Sequence, residues 1–222
     1  LSSVIASAQP AQIVILGEVH DNPHHHLTQA ALLKALRPKA VVWEMLTEAQ
    51  SARLTSDTLA TPQDLAAILD WDTSGWPEFS LYQPIFEAIP QAQHYGAAVP
   101  REVARAAMEA GIGAGFSDDA ARFGLDQPLP PQEQAAREAA QLSAHCDALP
   151  GEILPAMVDI QRLRDATLAR VALAALEGTG GPVAVITGNG HARRDWGVPT
   201  YLQVAAPQVR VFSLGQMEAG HI

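Results

Sequence analysis

The chain has little of what marks a disulfide-rich, a nucleic-acid-binding or a membrane-spanning protein. Among its 222 residues Cys146 is the only cysteine, so no intramolecular disulfide can form. Lys and Arg number 14 against 24 Asp and Glu, which gives a net charge of −10. A basic surface, which phosphate binding requires, is therefore not expected. No apolar run approaches the roughly 20 residues that span a bilayer. These features argue against a nucleic-acid partner and give no support for binding an anionic membrane.

Two interpretations are open for the start of the chain. Residues 1–9 are rich in small side chains, and Ala6-Ser7-Ala8 matches the pattern that precedes a signal-peptide cleavage site. The segment is equally typical of a disordered N-terminus. We expect residues 1–11 to be flexible, residues 12–215 to form a single α/β domain, and residues 216–222 to form a C-terminal tail. A chain of this length suffices for one sizeable core.

Two segments that are distant in the sequence share one pattern, in which a short apolar run is followed by a glycine and, three residues later, by a histidine. They are Ile13–His20 and Val183–His191. Such runs are typical of strands that are buried on both faces of a parallel sheet. Ligands of open parallel sheets bind just beyond the carboxyl ends of the strands. We therefore expect Glu18, His20 and His191 to meet at one edge of the sheet, although ordinary strand-to-helix turns would show the same pattern.

A further apolar run, Ala40–Leu46, places Glu44 near a strand end in the same way. A carboxylate in an apolar run needs a partner, which would be a metal, a histidine or an arginine, because burying a bare charge is costly. Glu18, His20, Glu44 and His191 include the ligand types that zinc and manganese accept. Strands that alternate with helices predict an α/β fold, with a mostly parallel central sheet flanked by helices and an additional helical region.

Aromatic residues are scarce, yet five of the twelve lie in one segment. Residues 71–86 contain Trp71, Trp76, Phe79, Tyr82 and Phe86, and Gly and Pro interrupt the segment. Aromatic side chains on a loop beside a polar site are typical of the wall of a pocket for a flat or apolar ligand. The alternative is a flap that covers the core.

A long helix is predicted for residues 152–177, and its apolar stripe carries an arginine. At 100° per residue, Arg164 lies in the middle of the stripe, Gln161 lies on its margin and Arg162 lies on the opposite side. The stripe consists of Ile153, Met157, Ile160, Leu168, Val171 and Ala175. An arginine that faces the core must be paired. It would form either a structural salt bridge to a strand-end glutamate or a clamp for an anionic ligand.

Several motifs, taken together and in order, resemble those of the ChaN family. This family comprises iron-regulated haem-binding proteins within the wider Tiki/TraB and erythromycin-esterase-like superfamily. The resemblance extends from about residue 12 to residue 215. The matching motifs are Leu16-Gly17-Glu18-Val19-His20-Asp21-Asn22, Trp43-Glu44-Met45-Leu46, Pro100-Arg101-Glu102, His145-Cys146, Gln161-Arg162-Leu163-Arg164-Asp165-Ala166 and the stretch from Thr187 to Pro199.

The resemblance implies an α/β core with added helices and a role in haem binding during bacterial iron acquisition. It also implies a periplasmic or envelope-associated protein, often a lipoprotein, with haem held between two subunits and tyrosine as the axial ligand. The chain contains no lipobox cysteine, so membrane association would require an anchor lost from the N-terminus. No motif fixes the tyrosine. We choose Tyr82, from the aromatic segment, over Tyr95 and Tyr201, and a phenolate would select ferric haem.

The resemblance gives two expected sites. In the first, a tyrosine or a histidine ligates haem iron, tryptophans pack on the porphyrin and arginine meets the propionates. The residues expected to bind haem are Trp71, Trp76, Tyr82, His145, Gln161, Arg164 and Arg193. In the second, Glu18, His20 and His191 hold a divalent metal, and Glu44 or Glu18 acts as the general base of a hydrolase. A third interpretation makes the polar cluster a purely structural network.

Overall fold

Five parallel strands form the centre of the structure, a computed structural model that describes residues 1–116 and 119–218. The strands are β1 (Ile13–Glu18), β2 (Ala40–Trp43), β3 (Gln93–Gly96), β4 (Val183–Gly188) and β5 (Val211–Leu214). Their order across the sheet is β3-β2-β4-β1-β5, and every neighbouring pair is parallel. The carboxyl ends of β2, β4 and β1, which are adjacent in the sheet, therefore lie side by side at one edge.

Helices connect these strands and cover both faces of the sheet. The α-helices within the described ranges are α1 (Ser2–Ala8), α2 (Pro23–Leu36), α3 (Glu48–Ser51), α4 (Ser56–Leu59), α5 (Leu65–Ile68), α6 (Phe79–Ala88), α7 (Arg101–Ala110), α8 (Ile112–Gly115), α9 (Pro131–Ala144), α10 (Leu154–Thr179) and α11 (Val198–Ala205). Short 3-10 helices occur at Pro62–Asp64, Trp71–Thr73, Ala120–Phe123 and Gly151–Ile153. No helix in the described part of the chain is both long and apolar enough to cross a membrane.

Alternate residues of each central strand supply two separate hydrophobic cores. Val14 and Leu16 of β1 pack with α1, α2 and α6 on one face of the sheet. Ile13 and Ile15 of the same strand pack with α7, α10 and α11 on the other face. Every residue of β1 and of β4 is buried, as the continuous apolar runs predict for a parallel sheet. The predicted α/β fold is confirmed.

Several local predictions differ from the structure. Residues 1–11, expected to be flexible, contain α1, and Ala8 is buried against the core. The aromatic segment, part of which is expected to be a loop, consists of a 3-10 helix at Trp71–Thr73, a loop at residues 74–78 and the first eight residues of α6. Of the expected C-terminal tail, residues 219–222 lie outside the described residues.

Two arginines of α10 differ from the prediction in whether their side chains are buried or exposed. Arg164, predicted to face the core, is exposed. Arg162, predicted to face outward, is buried, and its Nη2 atom donates to the backbone oxygen of Gln127 at 2.8 Å. The prediction was wrong because segment 119–127 covers the side of α10 that the apolar stripe leaves free.

His94 on β3 provides a test of the core through its protonation. Trp43 Nε1 donates to His94 Nδ1 at 2.9 Å, and the His94 ring stacks on Phe86. His94 Nε2 is buried with no hydrogen-bond partner among the described residues. Burial lowers the pKa of His94 to about 4, because the surroundings do not solvate an imidazolium.

The wild type should therefore lose more stability in acid than the variant His94→Phe. In the unfolded chain His94 is protonated below about pH 6.5, whereas in the folded chain it is protonated only below about pH 4. Acid between these values therefore favours the unfolded state. Between pH 7 and pH 5 the wild type should lose about 2 kcal/mol relative to the variant, from about 1.4 kcal/mol per pKa unit. Urea unfolding at both pH values measures this difference. The matched control is His24→Phe at an exposed site, and equal pH dependence of wild type and His94→Phe would contradict the prediction.

Candidate functional site

A cavity of about 760 Å³ lies at the carboxyl ends of β1, β2 and β4. Its floor is formed by Glu18, His20, Glu44 and the turn at 188–191, and α9 and α10 form its walls. Its volume is within the range of about 300–1,000 Å³ that is usual for small-molecule sites. Its position matches the general location of ligands in parallel α/β sheets.

Glu18 and His20 form the first polar pair of the floor. The Glu18 side chain is fully buried, and its Oε1 atom accepts hydrogen bonds from His20 Nδ1 at 2.9 Å and from the Tyr82 hydroxyl at 3.0 Å. Its Oε2 atom lies 3.4 Å from His26 Nδ1. Because a carboxylate only accepts, the proton of His20 is on Nδ1. His20 Nε2 has no hydrogen-bond partner in the described part of the chain, so its lone pair is available at the cavity.

The surroundings of His20 favour a basic imidazole. Burial by itself lowers the pKa of His20, but the hydrogen bond to Glu18 and the charge of Glu44 outweigh burial and raise it above the ordinary value. The His20 ring meets the indole of Trp76 edge to face, with ring centroids 4.8 Å apart. Because a raised pKa favours the protonated ring, a metal that binds His20 Nε2 would have to displace a proton from this partly exposed imidazole.

Glu44, His191 and Asp165 form the second polar cluster. His191 Nε2 lies 3.2 Å from Glu44 Oε1, and His191 Nδ1 donates to Asp165 Oδ1 at 2.7 Å. Glu44 Oε2 also accepts hydrogen bonds from the Thr187 hydroxyl at 2.7 Å and from the Gly188 N–H at 2.8 Å. Both ring nitrogens of His191 thus face buried carboxylates, and neither is available to ligate a metal as a neutral imidazole would.

The charges of this cluster support one another. Burial lowers the pKa of His191, but Glu44 and Asp165 outweigh burial and raise it well above the ordinary value. Burial likewise raises the pKa of Glu44, yet the charge and hydrogen bond of His191 together lower it below the usual range. Burial raises the pKa of Asp165 in spite of His191. At neutral pH His191 is an imidazolium that links two carboxylates, so the cluster has excess negative charge.

Arginine and tryptophan side chains line the upper wall of the cavity. The indole of Trp196 has the guanidinium carbon of Arg193 at 3.7 Å from its ring centroid and that of Arg137 at 5.4 Å. Arg193 also donates two hydrogen bonds to Asp195, at 2.9 and 2.6 Å. Arg164 is exposed, lines the cavity, and has no carboxylate within ion-pair distance in residues 1–116 and 119–218. Arg164 is therefore a cation available to an anionic ligand.

Most of the residues predicted to act at the site line this cavity. They are Glu18, His20, Glu44, Trp76, His145, Gln161, Arg164, His191 and Arg193. Two predicted haem contacts, Trp71 and Tyr82, do not. Both are buried in the core because the segment folds into a 3-10 helix and α6, whose aromatic side chains pack towards the sheet. Trp71 Nε1 donates to the Pro77 backbone oxygen at 2.8 Å.

The structure does not support Tyr82 as an iron ligand. Its side chain is completely buried and its hydroxyl donates to Glu18. Burial and the nearby charge of Glu18 raise the pKa of Tyr82 still further above its ordinary value, so a phenolate is disfavoured there. In the described residues, the other tyrosines, Tyr95 and Tyr201, are likewise not among the residues that line the cavity.

The alternative function, a hydrolase with a divalent metal, would need side chains that converge on a metal ion. No group of three or more His, Cys, Asp or Glu side chains is arranged there to hold a metal ion. Glu18, His20 and His191 were expected to supply it, but Glu18 is bonded to His20, and His191 is bonded to Glu44 and Asp165. Glu18 Oε1, His20 Nδ1 and both ring nitrogens of His191 are therefore engaged in contacts within the two polar clusters.

Sequence reasoning missed Arg137, Met157 and Trp196 as cavity residues. Trp196 belongs to the glycine-rich turn after β4, three residues beyond Arg193, so its place in that motif was a usable signal. Arg137 lies in the middle of α9, where no motif marks it. Its position at the cavity depends on how α9 packs against α10.

Comparison with known proteins gives one family and one solved structure. A family model described as "Haem-binding uptake, Tiki superfamily, ChaN" matches residues 4–202. A structure described as "Cofacial heme binding to ChaN of Campylobacter jejuni" aligns with a TM-score of 0.71 and 20% sequence identity. The alignment covers 98% of this chain and 88% of that chain, and shows a shared fold. Among curated proteins, no sequence matches.

Proposed function

Because the chain belongs to the ChaN family of haem-binding uptake proteins in the Tiki superfamily, we propose that it binds haem in the cavity at the carboxyl ends of β1, β2 and β4. We further propose that this binding serves iron acquisition. The observation that carries the proposal is the composition of the cavity. The cavity has a volume of about 760 Å³ and contains two indole rings, together with an imidazole nitrogen and a guanidinium that have no partner among the described residues.

His20 is the residue best placed to ligate the iron. Haem proteins hold iron through an axial His, Cys, Met or Tyr side chain. His20 presents Nε2 to the cavity, while its Nδ1 is held by Glu18. His20 would therefore hold the haem iron in place of Tyr82. Bound haem would supply an iron centre that accepts this nitrogen.

The walls of the cavity suit a flat ring that is apolar on its faces and anionic at one edge. Trp76 and Trp196 offer indole rings, and Met157 and Ile160 of α10 add apolar surface. Aromatic side chains bury large areas and stack on planar ligands. A porphyrin in contact with these side chains would be shielded from water on its faces.

Arg164 provides the complementary charge for the propionates. It lines the cavity beside Trp76 and has no carboxylate partner among the described residues. Guanidinium groups bind carboxylates with two parallel hydrogen bonds, so an unpaired arginine favours an anionic ligand. Arg193 already forms two hydrogen bonds to Asp195, so its main contribution to haem binding would be to hold the indole of Trp196 by stacking on it.

We expect Arg164→Ala to weaken haemin binding about fivefold. The estimate follows from about 1 kcal/mol for an exposed ion pair. Titration of the apo-protein with haemin, followed by absorbance, measures the dissociation constant. The control is Arg105→Ala, which removes an exposed arginine of α7 away from the cavity. Equal affinities of Arg164→Ala and wild type would contradict the assignment of Arg164 to the propionates.

A further inference from the structure

The strand β5 lies at one edge of the sheet and pairs with β1 alone in the described part of the chain. Ile13 of β1 is opposite Val211, and the Ile13 N–H donates to the Arg210 backbone oxygen at 3.2 Å. In a parallel pair, only alternate residues of a strand direct their backbone groups to the neighbouring strand. The even-numbered residues of β5 therefore bond to β1, and the N–H and C=O groups of Val211 and Ser213 point away from it.

The opposite edge of the sheet, at β3, is covered. The Gly96 N–H of β3 donates to Ser51 Oγ at 2.8 Å, so α3 lies where a further strand would pair. The sequence of β5, Val-Phe-Ser-Leu, contains none of the charged residues or prolines that commonly protect an exposed edge. Its outward backbone groups are therefore a template for one more strand.

A groove of about 400 Å³ lies beside this edge, between β5 and α11. Val209 and Val211 line it on the side of the sheet, and Val204 of α11, which is 54% exposed, lines it on the other side. The side chains of an added strand alternate between the two faces of a sheet, so every second one would lie at this groove. The groove residues differ from those that line the cavity proposed to bind haem.

Two exposed arginines make the surroundings of the groove basic, although the chain as a whole carries a net charge of −10. Arg194 lines the groove, and Arg210 immediately precedes β5. Neither has a carboxylate within ion-pair distance in residues 1–116 and 119–218. Asp195 also lines the groove, but two hydrogen bonds from Arg193 compensate its charge. Unpaired cations beside an open edge favour a partner with acidic side chains.

We propose that the edge of β5 binds an extended, acidic peptide segment of a partner protein, which adds a sixth strand to the sheet. The backbone groups of Val211 and Ser213 pair with the segment, and its apolar side chains enter the groove. Its acidic side chains meet Arg194 and Arg210. This binding does not depend on haem, because the groove and the haem cavity have different residues.

The test is a titration of the ¹⁵N-labelled protein with the synthetic peptide acetyl-Asp-Val-Thr-Val-Glu-amide, followed by NMR and hydrogen exchange. In the free protein the amides of Val211 and Ser213 should exchange faster than those of Phe212 and Leu214. With the peptide they should shift saturably and become protected. Absence of a shift would overturn the proposal. Protection that is already present in the free protein and is lost on dilution would also overturn it, because a second copy of the chain would then occupy the edge.

Modified peptides and a charge reversal test the pairing and the charge separately. A strand bonds to an edge through the N–H groups of alternate residues only, so N-methylation of one alternate set should abolish binding and N-methylation of the other set should preserve it. Arg194→Glu should weaken binding at least about fivefold. Arg105→Glu, at an exposed arginine of α7, is the control and should bind the peptide as wild type does. Equal binding of both N-methylated peptides, or wild-type affinity in Arg194→Glu, would refute the proposal and leave haem binding untouched.

Discussion

Replacement of His20 by alanine is expected to weaken haemin binding by at least about 100-fold. The substitution removes the imidazole nitrogen that faces the cavity without a partner among the described residues. Loss of a residue that merely supports a metal ligand typically costs 10–100-fold in affinity, so loss of the ligand itself should cost more. Absorbance titration of the apo-variant with haemin measures the change. Any haemin complex that the variant still forms should have a Soret band that differs from that of histidine-ligated haem.

Two further variants test whether this effect arises at the iron. His24→Ala removes an exposed histidine at the start of α2 and should bind haemin as wild type does. Gly188→Ala leaves His20 in the chain, but the new Cβ atom would lie 2.9 Å from His20 Nε2. The imidazole must then move, and binding should weaken while the fold is kept. Wild-type affinity in His20→Ala would show that another residue holds the iron.

The second large effect is expected on stability. His191→Leu leaves Glu44 and Asp165 buried without the imidazolium that links them. Breaking a buried ion pair by removing one partner costs about 3–5 kcal/mol. For a chain of this length the melting temperature should fall by about 6–20 °C, at 2–4 °C per kcal/mol. Calorimetry and urea unfolding measure the loss.

The pH dependence and a matched variant identify the cause of this loss. The pKa of His191 is raised to about 10 in the folded protein, so the stabilisation is complete below pH 6.5 and is lost as pH rises towards 10. The gap between wild type and His191→Leu should narrow over that range. His145→Leu, at an exposed histidine of the same cavity, should change stability by no more than about 0.5 kcal/mol. A constant gap from pH 7 to pH 10 would contradict the ionic account.

The central part of the fold could be predicted because its signals are local. Two apolar runs, one ending at Gly188 and the other containing Gly17, correctly predicted two buried parallel strands. Parallel strands end at the same edge of a sheet, which correctly predicted that Glu18, His20, Glu44 and His191 lie at one cavity. The start of α2 also has a local cause, since the Asn22 side chain accepts from the His24 N–H and Pro23 is the first residue of the helix. The resemblance to the ChaN family, based on ordered motifs, is confirmed by the family match.

The parts that failed depend on contacts between distant segments. An apolar stripe marks one buried side of α10, but burial of Arg162 requires segment 119–127, whose course has no periodic signal. Trp71 and Tyr82 looked like pocket walls because Gly and Pro interrupt their segment. In the structure both side chains belong to the core, since the aromatic face of α6 packs on α2 and the sheet. A cluster of aromatic residues alone does not distinguish a pocket from a core.

The same limit applies to the polar cluster. Residue types predicted a metal, a histidine or an arginine as the partner of Glu44, and only the structure identifies His191 as that partner. Asp165 is 26 residues before His191 in the sequence, and the two side chains form an ion pair that completes the cluster. The sequence shows which groups can ionise. Which of them touch depends on helix packing.

The most direct test of haem binding is titration of the purified apo-protein with haemin, followed in the Soret region. The account predicts a saturable change with one haemin per cavity and a histidine-ligated spectrum that His20→Ala abolishes. A spectrum identical to that of free haemin at every protein concentration would contradict the account at its centre.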